Sequence, residues 1–223
     1  QIEHAMQGIK SKIEELRDDS QRGLRAPKFA PAGQSTQMIV GATATPDQTI
    51  LQTANQLYQT HKLRRVYYSA YSPIPHADAQ LPGKSPPLVR EHRLYQADWL
   101  MRFYGFDAGE IVEQDKGMLP LDIDPKLAWA LRHRDRFPLD VATASREELL
   151  RVPGFGTKAV DRILATRRLT SIRVADLARL HIPRNKALPF IVLSDHRPAA
   201  RLLDAAGLKE RFGPKPSQLG FGF

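Results

Sequence analysis

The chain has 223 residues, 42% of them hydrophobic, and a net charge of +9. That is enough apolar side chain for one medium domain or two small ones, and it excludes wholesale disorder and fibrous classes. There is no cysteine, which removes disulfides, thiolate zinc sites, a cysteine nucleophile and any iron-sulfur cluster ligated from within the chain.

Ile2, Met6, Ile9, Ile13 and Leu16 recur every three or four residues and predict a helix that ends in the stretch Gly23 to Gly33. Thr36 to Gly41 reads as a short buried strand. A helix follows, with Thr45 as its cap, Pro46 in the first helical position and Asp47 at the positive end. Arg65 to Ala70 is a second strand, so the unit is βαβ with parallel strands and a right-handed crossover. The five prolines between Ser72 and Pro87 predict a loop at the carboxyl end of that strand. Ligands bind at that end of parallel sheets, which makes Tyr68, Ser69, Tyr71 and His76 candidate pocket residues. Helices are then expected over Leu88 to Tyr104 and from Asp124-Pro125 to Leu131.

Charge is unevenly spread. Residues 131–215 hold 18 Lys and Arg against 9 Asp and Glu, while the remainder holds 15 against 15. A localised basic balance favours encounter with polyanions, and nucleic acid is the leading partner class.

Within that stretch, Ser145 with Glu148 is a capping box that starts a helix. Val152-Pro153-Gly154-Phe155-Gly156-Thr157-Lys158 follows it. Two glycines around one apolar residue allow a tight hairpin with unpaired amides, and a helix opening there is an anion site. Here the anion would be a DNA phosphate. Lys158, Arg162, Arg167 and Arg168 add charge that replaces counterions. Leu149, Val152, Pro153, Gly154, Phe155, Gly156, Ala159 and Ile163 resemble the helix-hairpin-helix module. A degenerate second copy is expected, with Val174 to Leu180 helical, a turn over His181 to Lys186 and an apolar run from Ala187. It brings Arg184 and Lys186 towards the same backbone.

Together, the segment Phe29 to Ala42, the segment Tyr67 to Pro75 and the hairpin resemble the DNA modification or repair radical SAM proteins. The resemblance covers about Gln1 to Pro198. It implies an α/β part followed by an all-α part. Residues 1–120 would be the later strands of a partial parallel βα barrel, 121–198 a helix-hairpin-helix DNA-binding domain and 199–223 a C-terminal tail. Gln34, Ser35, Thr36 and Gln37 would line an S-adenosylmethionine or substrate pocket, or serve as strand-start caps. The family carries a three-cysteine [4Fe-4S] motif ahead of this region, and this chain has none. No cofactor is therefore expected in the chain itself. With Gln1 in place of Met and no charged-then-apolar leader, it reads as a C-terminal piece without a signal peptide. The expected function is binding of double-stranded or damaged DNA without sequence preference, beside a separate radical SAM part or a glycosylase-like partner.

Two alternatives remain at this point. One is a glycosylase or lyase with Lys158 as the Schiff-base amine and Asp176 as the carboxylate. The other is a non-catalytic DNA-binding module. No stretch approaches the roughly 18 apolar residues of a membrane span, so a soluble, cytoplasmic protein is expected.

Overall fold

In the computed structural model, residues 1–21, 29–76, 78–112, 115–199, 202–203 and 207–212 are described. Most of the tail expected over 199–223, and residues 22–28 of the break expected after the first helix, lie outside them. The chain divides into two units. The first is Gln1–Asp98 with Val112–Leu119, and the second is Trp99–Ile111 with Pro120–Phe223.

In the first unit, α1 (Ile2–Gln21) precedes β1 (Ser35–Val40), α2 (Asp47–His61), β2 (Arg65–Ala70) and the start of α3 (Leu88–Tyr104). The apolar period predicts α1, yet only Met6 of its stripe is buried. β1 and β2 pair in parallel from Ser35 opposite Arg65 to Val40 opposite Ala70, with α2 as the crossover. Ile50, Leu51, Ala54 and Leu57 of α2 pack with Val40, Val66, Tyr68, Leu94 and Ala97 into the core.

The cap of α2 differs from expectation. Pro46 holds the cap position and makes no side-chain bond, while the Thr45 hydroxyl meets that of Thr43. Asp47 is fully buried instead. Its Oδ1 accepts from Arg90 Nε at 2.7 Å and its Oδ2 from the Leu119 amide at 3.0 Å. A buried carboxylate needs such full pairing, because desolvation otherwise exceeds the attraction.

The expected partial barrel is absent. Among the described residues there are only two sheets, each of two parallel strands. The outward amides of β2 show why no strand joins it there. Val66 donates to the Tyr58 hydroxyl at 2.9 Å, Tyr68 to the Tyr95 hydroxyl at 3.0 Å and Ala70 to Glu91 Oε2 at 2.9 Å. Side chains of α2 and α3 thus occupy every donor on that edge, and an edge so covered cannot template another strand.

The second unit is mainly helical. After the last turns of α3 come α4 (Ala108–Ile111), α5 (Pro125–Arg132), β3 (Leu139–Asp140), α6 (Arg146–Arg151), α7 (Thr157–Thr166), α8 (Asp176–Arg179), α9 (Arg184–Ala187) and β4 (Ile191–Val192). Asp124 caps α5 by accepting from the Leu127 amide at 2.9 Å, as its sequence predicts. Trp129 on α5 is fully buried, stacked on His133 at 4.3 Å and met edge-on by Phe106 and Phe137. Phe137 in turn meets Phe190 at 5.2 Å, so one aromatic chain runs through this core. Each such aromatic pair adds about 0.5–1.5 kcal/mol beyond its buried area. Among the described residues, no helix is long and apolar enough to cross a membrane.

Candidate nucleic-acid interface

The turn between α6 and α7 is built by local sequence. Ser145 Oγ accepts from the Glu148 amide and Glu148 Oε2 accepts from the Ser145 amide, at 3.1 and 2.7 Å. These bonds hold the Glu148 carboxyl below the usual range and fix the start of α6. Leu149, Leu150 and Val152 are buried, and Phe155 anchors the turn from below. Its amide bonds the Val152 carbonyl at 3.1 Å. Ala159, Val160 and Ile163 bury the inner face of α7.

Gly154, Gly156 and Thr157 are half-buried and Lys158 is exposed, so the turn reaches the surface. Gly156 is the cap residue of α7, in extended backbone, and no side chain bonds the first turn. The first bond back to the turn is Val160 to the Gly156 carbonyl, and among the described residues no acceptor pairs with the amides of Gly156, Thr157 or Lys158. A row of unpaired amides at the positive end of a ten-residue helix is where an anion is held best.

The two glycines differ. Gly154 has φ +82°, and a Cβ there would stand 3.0 Å from Pro183 Cγ and 3.3 Å from Lys186 Cβ. The fold requires it. At Gly156 the nearest atom to a Cβ would be the Tyr104 hydroxyl, at 3.8 Å, so the fold does not.

Beneath the turn lies Lys126, which sequence reasoning missed. It is buried, donates from Nζ to the Phe155 carbonyl at 2.6 Å and sits 4.7 Å from the centre of the Tyr104 ring. Burial pushes its ammonium down to about 7, with Arg151 acting the same way and Asp124 opposing. No local pattern marks it, because a lysine in the first turn after an Asp-Pro cap reads as a solvated side chain.

The second copy repeats the backbone of the first. His181 (φ +59°) stands where Gly154 does, buried Ile182 where Phe155 does, extended Pro183 where Gly156 does, and α9 begins at Arg184. Pro183 has no amide proton, and Pro183 with Lys186 packs on Gly154. This turn therefore offers fewer donors and braces the other one.

Among the basic residues, Lys158, Arg162 and Arg168 are exposed, with no ion-pair partner among the described residues. Arg184 is exposed and reaches the Ala175 carbonyl at 3.5 Å. Lys186 pairs with Asp124 at 3.3 Å. Arg167 donates to the carbonyls of Val141 and Ala144, which makes it a brace for the loop after β3. Asp176 accepts from the Arg173 amide at 3.0 Å and opens α8, four residues long, rather than lying inside a longer helix.

The candidate pocket residues do not converge. Gln34 donates to the carbonyls of Met6 and His61, at 3.1 and 2.8 Å, and lines a cavity of ≈ 630 Å³ with Lys10, Arg17, Phe29 and Lys62. Ser35, Gln37 and Ser69 lie on the open face of the sheet, where Gln37 bonds Ser69 at 2.6 Å. Thr36 and Tyr68 point to the other face. The Tyr68 hydroxyl bonds Asp98, and burial raises it far above the ordinary phenol range. Tyr71 is buried and His76 exposed.

Among the described residues, no three His, Asp or Glu could hold a metal together. With no cysteine, the chain's residues do not fit the cluster its resemblance implies. In comparison with known proteins, no family model, no curated protein and no solved structure matches this chain.

Proposed function

We propose that the turn Val152–Lys158 binds DNA through its backbone phosphates, without reading base sequence. The observation that carries this reading is the row of amides from Gly156 to Lys158, unpaired among the described residues and bare of side-chain bulk at Gly156. Phosphate oxygens accept from such amides, and contacts of this kind fix position and carry no sequence information. Lys158, Arg162, Arg168 and Arg184, all exposed, supply the charge that displaces condensed counterions.

The test is fluorescence anisotropy with labelled duplexes of two unrelated sequences across a range of salt. Four phosphate contacts give a slope of log affinity against log salt of about −3 to −4, equal for both sequences. A flat slope, or a strong preference between the duplexes, refutes the reading.

A further inference from the structure

One feature of the second unit has no role in its core. Trp99 and Phe103 lie one turn apart on α3, 53% and 48% exposed, with ring centroids 5.5 Å apart and planes at 71°. The Arg102 guanidinium lies 4.9 Å from the centre of the Phe103 ring. The other tryptophan, Trp129, is fully buried. Single exposed apolar residues are ordinary, but two exposed aromatic rings in contact make a patch on which a flat π system can pack.

The position of the pair gives it a partner. Tyr104 follows Phe103 directly, and its hydroxyl stands 3.8 Å from where a Cβ on Gly156 would be. The Tyr104 ring also carries Lys126, whose ammonium bonds the Phe155 carbonyl. The last turn of α3 therefore abuts the turn whose amides are unpaired.

We infer that Trp99 and Phe103 form a stacking platform for unpaired nucleobases of a DNA strand whose neighbouring phosphates lie on the Gly156 turn. The inference rests on the phosphate-binding reading of that turn. Charge complementarity selects this occupant. Lys158 and Arg162, exposed and lacking acidic partners among the described residues, suit a polyanion carrying aromatic bases rather than an apolar protein face. Every base has a π face, so stacking is tolerant of sequence, and each stacked base adds roughly tenfold in affinity. Bases inside an intact duplex are already stacked on one another. The platform therefore makes the protein prefer DNA with an unpaired stretch.

The experiment compares the full chain on an intact duplex and on the same duplex with a short single-stranded gap. The expected affinity ratio of gapped to intact DNA is about ten or more, and the double variant Trp99→Ala, Phe103→Ala brings it close to one. Restoring rings with Trp99→Phe and Phe103→Tyr restores the preference. In the unaltered chain, gapped DNA quenches tryptophan fluorescence more than intact duplex, because Trp99 is exposed and Trp129 is not. This measurement stands even where a variant fails to fold. A ratio near one in the unaltered chain, or a ratio that survives the double variant, overturns the platform and leaves the phosphate reading intact. Absence of salt-dependent binding to intact duplex overturns the phosphate reading itself. A change of oligomeric state in the double variant means the rings meet protein, and also overturns the platform.

Discussion

Valine at Gly156 and valine at Gly154 test different physics in neighbouring positions. At Gly156 the backbone is extended, with φ −90° and ψ 162°, and a Cβ meets nothing nearer than the Tyr104 hydroxyl at 3.8 Å. A β-branched residue accepts that conformation, and the weaker cap costs about 1 kcal/mol. The same side chain stands beside the amides that would hold phosphate. Losing one hydrogen bond to a charged acceptor removes about 1.5–3 kcal/mol, or roughly 10- to 100-fold in Kd. Gly156→Val should thus keep its fold and lose its DNA. At Gly154, φ +82° strains any side chain by about 1–3 kcal/mol, and the Cβ meets Pro183 at 3.0 Å as well. Gly154→Val should lose stability first and binding only as a consequence. The assay pairs a thermal melt with anisotropy on duplex DNA at fixed low salt. A folded Gly156→Val that binds as the unaltered chain does would refute the assignment of the amides as the phosphate contact.

Two further outcomes follow from buried charge. Lys126 is held at about 7 in the folded chain, against roughly 10.4 for a lysine in water. Between these values the unfolded chain binds more protons, so stability rises with pH there and is lost as pH falls towards 7, by at most about 1.4 kcal/mol per unit. The urea midpoint of the unaltered chain should rise relative to that of Lys126→Met as pH goes from 7 to 10, and a constant difference would show that the lysine keeps its ordinary proton affinity. Asp47→Asn leaves the Arg90 guanidinium buried without its counter-charge and should cost about 3–5 kcal/mol in the same assay. A loss below about 1 kcal/mol would mean that the pair is solvated.

What the sequence made legible was what neighbours decide. The box of Ser145 with Glu148, the Asp124 cap and the glycines of the turn act over three or four residues, and each forms where the residues predict it. The barrel failed because the fate of β2's outer edge is set by Tyr58, Tyr95 and Glu91, which reach it from helices before and after it. No strand pattern reports that. The burial of Asp47 at the start of α2 was hidden for a similar reason, since Arg90 and Leu119 hold it from far along the chain. The scatter of the candidate pocket was partly readable. Alternation in a strand sends Ser35 and Gln37 to one face and Thr36 to the other, so consecutive residues of β1 could not share one wall.

The bond between Asp47 and the Leu119 amide closes the first unit on itself, since that unit takes back Val112–Leu119 after the second has begun. Excision at Asp98 would strip Asp47 Oδ2 of its donor and leave a half-bonded carboxylate at the root of α2. A ribosome releasing the chain residue by residue faces the same condition: that root closes only once Leu119 has emerged, 72 residues after Asp47.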